Sequence, residues 1–325
     1  MSNNQSNHLP LKLNLNSCKH LALTLDWPIE KICYFIKNQS NNVQEFTLKQ
    51  IKNGKLKERV VYNPSPQYKR LLRATNSKLF RRAVLPQGVL GGVIGKSIDD
   101  LAKVHCNQEA VLSMDLKNFF PSIKSGRVVK FFRAAGCNPF IAGLLTDLVT
   151  LNGSLPQGFP TSPMLANLIA FNLDIQHIAQ GQKNKLRRTR WIDDIVFSGR
   201  LKDLTINVKS LLGAIKPHGF QLNNKKTDYR VRSNNPIVGG LDVSRKIPHI
   251  PVVVIDRVCE ILYECKLSGV EVVQTAYESD WFGRKKDLKS SLKSRIRHIA
   301  RYNKTEAEKL TEIFNSIDWV IKPQI

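Results

Sequence analysis

Two adjacent acids, Asp193 and Asp194, interrupt a β-rich apolar run, RTRWIDDIVFSG (188–199). Successive side chains of a strand point to opposite faces, so neighbouring acids sit on one side only where the chain turns sharply. A tight hairpin tip fits: Trp191-Ile192 ends one short strand, Ile195-Val196-Phe197 begins the next, and both carboxylates stand above a buried sheet. Carboxylates about 4 Å apart repel by roughly 4 kcal/mol at a surface-like effective dielectric, a cost that a divalent cation removes. A solvated Asp-Asp turn is the plainer alternative. A third acid, Asp115, follows AVLSM, a run able to occupy a central strand, and Pro121 soon after stops regular pairing. An acid at such a strand end is a functional candidate, with a helix cap as the alternative. If Asp115 meets Asp193 and Asp194, the cluster binds two Mg²⁺ once a triphosphate supplies further oxygens, the arrangement of in-line displacement by polymerases.

Those carboxylates need elements to position them. Between them lies GSLPQGFPTSPMLANLIAFNLD (153–174), a loop of prolines and small residues followed by Leu165, Leu168, Ile169 and Asn172 at helical spacing. Small residues let a flat base approach the backbone. The same stretch also reads as a turn and a helix start, with Ser162 as N-cap and Pro163 at the first helical position. Residues 45–62, EFTLKQIKNGKLKERVVY, read as a basic hairpin turning at Asn53-Gly54. Residues 65–83 and 126–150 read as mainly helical, 110–120 begins as a strand, and from about Ile255 the pattern turns helical and strongly basic. The expected fold mixes helices and strands, with a boundary near 255.

Composition bounds the partner. Fifty Lys and Arg against 26 Asp and Glu give a formal charge of +24, which points to a polyanion, nucleic acid ahead of an anionic membrane surface. The opening MSNNQSNHLP lacks a charged-then-apolar signal pattern and no run approaches the roughly 18 apolar residues of a spanning helix. A soluble, cytoplasmic protein without membrane partners is expected. The six cysteines are scattered without a Cys-x-x-Cys pair, which predicts reduced thiols and neither a zinc site nor a disulfide frame.

The blocks SMDLKNFFPSI, LPQGFPTSPMLANL, WIDDIVFSG, GFQLNNKKT and VGGLDV occur in the order of the palm motifs of reverse transcriptases, and over about residues 50–245 the chain most closely resembles the bacterial retron-type enzymes. The resemblance implies an α+β right-hand polymerase fold: an N-terminal segment and fingers (1–105), a palm with an antiparallel sheet packed on helices (106–254) and a basic helical thumb (255–325). It implies that Asp115 and Asp193 are the principal metal ligands, that Asp194 is the second acid of the pair, and that the backbone carbonyl of Leu116 completes a metal's coordination. By the same resemblance Phe120 is the steric gate against a ribose 2′-hydroxyl, with a core Phe as the alternative. Gln157 and Gly158 face the incoming nucleotide and template. Lys226 protonates departing pyrophosphate, or is a solvated lysine, and Gly239-Gly240-Leu241 grip the primer terminus. Arg59 contacts the triphosphate, with Lys57 and Lys69 as weaker candidates; arginine engages phosphate bidentately, as lysine cannot. SIDDLAKVH (97–105) is similar to a retron segment ending in Asn-Ala-x-x-His. The chain departs from the pattern in three places: Leu101 stands where Asn is usual, Trp191-Ile192 where Tyr-Ala or Tyr-Val is common, and Gly239 where Thr is usual.

The C-terminal pattern stands apart from the resemblance. Lys285, Lys289, Lys293, Arg297 and Arg301 recur every four residues beside an apolar row of Leu288, Leu292, Ile296 and Ile299. On a helix this makes one packed and one basic stripe. Nine Lys and Arg in 284–304 against Asp287 alone make mutual repulsion a real cost, which a polyanion relieves. The stripe reads as a surface for duplex or structured RNA, with Trp281 and Tyr302 as stacking or packing aromatics. The function expected is an RNA-directed DNA polymerase that uses dNTPs and two Mg²⁺ to copy part of a dedicated structured non-coding RNA into single-stranded DNA (msDNA) in antiphage defence, with an effector or toxin protein as a further partner. The alternatives are a non-retron defence-type reverse transcriptase with different priming, and a catalytically silent RNA-binding scaffold.

Overall fold

The computed structural model describes residues 10–52, 55–280 and 287–319. Helices α1 (Cys18–Leu25), α2 (Ile29–Lys37) and α3 (Gln39–Asn42) lead into a two-stranded ribbon, β1 (Val43–Lys52) with β2 (Lys55–Pro64). Its antiparallel register ends at Lys52 opposite Lys55; the Asn53-Gly54 turn lies outside the described residues. Helix α4 (Pro66–Thr75), with proline in its first turn, widens into a π-helical turn at Asn76–Phe80. The wider turn lets Leu79 and Phe80 join Tyr68, Leu71 and Leu72 in the core. Helix α5 (Ile98–His105) starts from a capping box in which Ser97 Oγ accepts from the Asp100 N–H while the Asp100 carboxylate accepts from the Ser97 N–H.

The central layer is a four-stranded antiparallel sheet in the order β4-β5-β3-β6, built from β3 (Ala110–Asp115), β4 (Arg187–Trp191), β5 (Asp194–Gly199) and β6 (Asp228–Val231). Between β3 and β4 run α6 (Phe119–Ser122), α7 (Ser125–Ala134), α8 (Pro139–Val149), α9 (Ser162–Ile169) and α10 (Phe171–Lys183); α11 (Leu201–Gly213) follows β5. Strand alternation divides the core. Ala110, Leu112, Met114, Ile195 and Phe197 join one apolar cluster with the N-terminal helices and α7 to α11, whereas Val111 and Val196 on the opposite face join a second with α5 and the C-terminal helices. A small ribbon, β7 (Ile237–Val238) with β8 (Leu241–Asp242), precedes α12 (Val252–Ser268), α13 (Val270–Asp280), α14 (Leu288–Ala300) and α15 (Lys304–Asn315). The fold is therefore α+β.

Two local expectations change. The N-cap of α9 is Thr161 rather than Ser162; Ser162 opens the helix, and its hydroxyl donates to the Pro156 carbonyl at 2.6 Å, folding the proline loop back on the helix start. Helix α14 begins at Leu288, capped by the Asp287 side chain, so its basic stripe starts with Lys289, and Lys285 and Trp281 lie outside the described residues. Among the described residues no helix is long and apolar enough to cross a membrane.

Candidate active site

Register places the acids. Trp191 pairs with Asp194 across the β4–β5 hairpin, leaving Ile192-Asp193 as the two-residue turn. Asp193 alone occupies the tip; Asp194, expected beside it, is the exposed first residue of β5, directly opposite Asp115. Ile192 has φ 56°, a left-handed conformation that costs a β-branched residue of order 1–3 kcal/mol and persists only where surroundings enforce it. The Leu116 N–H donates to the Asp193 carbonyl at 2.9 Å, binding the turn to the end of β3.

Asp115 is 6% exposed, and both of its carboxylate oxygens are engaged. Lys226 Nζ donates to Oδ2 at 2.5 Å and Asn223 Nδ2 to Oδ1 at 2.9 Å, while the Asn223 N–H donates to the Asp115 carbonyl at 2.8 Å. Half-buried Asp193 holds its proton above the ordinary carboxylate range. Burial raises it most, its own backbone N–H counteracts, the Asp115 charge raises it further, and Lys226 and Arg59 pull it down. Asp115 and Asp193 therefore sense each other's charge across a site into which Lys226 already places a cation. Among the described residues no three His, Cys, Asp or Glu side chains gather as a metal cage, so a hard cation here takes its remaining oxygens from elsewhere.

The other expected residues divide. Exposed Arg59, on β2, is close enough to act on Asp193. The ribbon is docked there by the Tyr62 N–H, which donates to the Gln157 carbonyl at 2.8 Å. Gly158, at φ 115°, permits that approach, because a Cβ would lie 2.3 Å from the Tyr62 carbonyl oxygen. Phe120 is half-buried against Phe119, ring centroids 5.6 Å apart, and Leu116 is buried. Lys69 is turned to Asn63, donating to its Oδ1 at 2.5 Å; Lys57 has no described side chain. Gly239 and Gly240, at φ 59° and 83°, form the two-residue turn of β7–β8. That turn packs on α5: a Cβ at Gly239 would meet Ile98 at 2.6 Å and Leu101 at 3.1 Å. Lys289, Lys293 and Arg297 are exposed along α14. Arg301 and Tyr302 instead bind Asp99 of α5, the arginine at 2.5 Å and the tyrosine through its hydroxyl, which makes Tyr302 a packing aromatic.

Sequence reasoning missed the buried polar frame of the hairpin. On one face Asp174 of α10, fully buried, accepts from Arg190 Nε at 2.7 Å and Nη2 at 2.6 Å and also from Arg188. Burial would raise the Asp174 pKa, but Arg190 and Arg188 outweigh it and hold the carboxyl low. Arg190 Nη1 donates further to Asn167 Oδ1 at 2.9 Å and to the Ile192 carbonyl at 2.7 Å. On the other face buried His105 of α5 bridges Ser198 Oγ at 2.7 Å and Thr189 Oγ1 at 2.6 Å. Asn223 was likewise missed. The one available signal was the polarity of Arg188 and Arg190 at alternate positions of a strand flanked by core.

Residues 50–249 match the family model described as reverse transcriptase (RNA-dependent DNA polymerase). The retron Se72 reverse transcriptase of Salmonella heidelberg is 26% identical over 310 residues, 93% of this chain and 79% of that protein. The retron Ec86 and retron Ec48 reverse transcriptases of Escherichia coli are 30% and 27% identical over 58% and 69% of this chain. The chain spans 59% of the length of each of these two.

Proposed function

The chain belongs to the reverse transcriptase family, with retron-type relatives, and from that premise we propose that it copies part of a structured non-coding RNA into single-stranded DNA, with antiphage defence as the role. One observation supports the chemistry most: the Leu116 N–H ties the Asp193 turn to the end of β3, next to Asp115, whose carboxylate accepts from Lys226. Hard carboxylate oxygens, too few to enclose an ion, suit Mg²⁺, which is commonly held by one or two carboxylates together with substrate phosphates. Bound there, two Mg²⁺ would activate the primer hydroxyl and neutralise charge developing on the triphosphate.

The chain's own groups do the rest. Asp115 and Asp193 would hold the ions, with the Leu116 carbonyl completing a metal's coordination and Asp194 contributing less directly. Asn223 keeps Asp115 oriented, and Lys226, beside the same carboxylate, is placed to give a proton to the leaving pyrophosphate. Arg59, steered by the ribbon docked on Gln157 and Gly158, takes the triphosphate; Lys69, turned to Asn63, supports the ribbon. Phe120 closes the space a 2′-hydroxyl needs, and Gly239-Gly240 holds the primer end. Residues 1–105 serve as fingers, 106–254 as palm and 255–325 as thumb, whose Lys289, Lys293 and Arg297 lie along RNA phosphates, while Arg301 is held by Asp99.

Primer extension on an RNA template tests this. Asp193→Asn should abolish dNTP incorporation in Mg²⁺ while RNA affinity stays within about twofold of the parent. Extension by the purified variant at near the parental rate overturns the site, and an inactive parent that still binds RNA favours a silent scaffold.

A further inference from the structure

We infer that Arg190 is a positioning residue for the catalytic turn: it grips the carbonyl of the Ile192–Asp193 peptide unit and so fixes the backbone from which the Asp193 carboxylate projects. This rests on the reading of Asp193 as a metal ligand. The unit's carbonyl accepts from Arg190 Nη1 at 2.7 Å, and the Asp193 carbonyl that follows accepts from the Leu116 N–H at 2.9 Å, so the backbone is held on both sides of the Asp193 side chain. A trans peptide is planar, with carbonyl and N–H pointing in opposite directions, so fixing one end fixes the other. No cis peptide bond occurs among the described residues.

Arg190 is built to hold that position. It is completely buried, its Nε and Nη2 locked bidentately on Asp174 and its Nη1 shared with Asn167. Its guanidinium is rigid and planar, so the Asp174 fork determines where Nη1 lies. Its backbone is held as well: the Arg190 N–H donates to Gly88 at 2.7 Å, and its carbonyl accepts from Leu90 at 2.9 Å. Asn167 Nδ2 donates to the Gly91 carbonyl at 2.9 Å. The chain at Gly91 presses against the turn so closely that a Cβ there would lie 2.4 Å from the Ile192 nitrogen. These interactions together enforce the left-handed Ile192 conformation, which nothing in the isoleucine side chain favours. A lysine at 190 can neutralise Asp174 but, lacking the fork, cannot also hold the Ile192 carbonyl.

Arg190→Lys separates positioning from folding. Below the variant's melting temperature, with folding checked by circular dichroism, kcat should fall by about tenfold or more, since misplacements of order 1 Å cost up to about a hundredfold. The Mg²⁺ concentration for half-maximal extension should rise several-fold, while dNTP KM and RNA affinity stay within about threefold. Asn167→Ala, which spares the Asp174 pair, should give the same pattern more weakly. A parental kcat and Mg²⁺ midpoint per folded molecule in both variants overturns the positioning role. If Asp193→Asn is itself active, the metal-ligand reading fails first; if it is inactive while both frame variants behave as the parent, only the role of Arg190 is lost.

Discussion

Basic residues crowd two stretches of this chain, KLRRTRW (185–191) and KSRIRHIAR (293–301), and the fold treats them oppositely. In β4 the period of two turns Arg188 and Arg190 onto the buried carboxylate of Asp174. In α14 the period near four leaves Lys293 and Arg297 in solvent beside the packed row of Leu292, Ile296 and Ile299. Counting charge cannot tell the two apart. What separates them is whether the element's period delivers the cation to a partner already inside: an unpaired guanidinium would never be tolerated in the β4 position, and a paired one on α14 would leave nothing to offer a polyanion.

The sharpest way to break the contrast is to remove the shared acid. Asp174→Ala leaves two buried guanidiniums without a counter-charge and should cost roughly 3–5 kcal/mol of stability, whereas Lys293→Ala should stay within about 0.5 kcal/mol. Urea unfolding of both variants decides; comparable losses would erase the distinction between structural and surface cations.

Acid comes next. Burial, and then the Arg187 charge, pushes His105 down to about 3, and burial, followed by Arg188, pushes His177 down to about 4. Both are neutral in the fold, while in the unfolded chain each takes up its proton near 6.5. Stability is therefore full above about pH 6.5 and declines as pH falls toward 4, by at most about 1.4 kcal/mol per pH unit for each histidine. His105→Asn should flatten that decline. A denaturation midpoint independent of pH between about 6.5 and 4.5 would contradict the buried neutral state.

The smallest effect on stability, and the most specific one on binding, belongs to α14. Replacing Lys289, Lys293 and Arg297 together by alanine should leave the melting temperature almost unchanged. The plot of log RNA affinity against log salt should flatten by up to about one unit for each phosphate no longer neutralised. An unchanged slope would place the RNA elsewhere and make the stripe an ordinary solvated face.

Local order makes much of this legible. Asp115 at a strand end, Asp193 within a tight reversal and the four-residue rhythm of Lys289, Lys293 and Arg297 are written in consecutive residues, so period and turn chemistry reach them. Asp194 stands one position away from the expected tip because a hairpin tip and the first residue of the next strand look identical until register is fixed. The frame is not legible. Asn223 meets Asp115 across 108 residues, and Asp174 meets Arg190 from a helix whose amphipathic spacing gives no hint that one of its acids faces inward. Arg301 reads as the next step of the stripe; only the docking of α14 on α5 shows it bound to Asp99.

Helix α5 carries a consequence for exchange between relatives. Within eight residues it binds α14 through Asp99, seats the β7–β8 turn on Ile98 and Leu101, and bridges β4 and β5 through His105. Two of the three departures from the retron pattern, Leu101 and Gly239, meet there, a large apolar side chain filling the space that a missing Cβ leaves open. Neither can be swapped singly without a clash or a void. A chimera that borrows only the C-terminal helices would set a foreign surface against Asp99. The transplantable unit is discontinuous in the chain: α5, the β7–β8 turn and α12 to α15, moved as one piece.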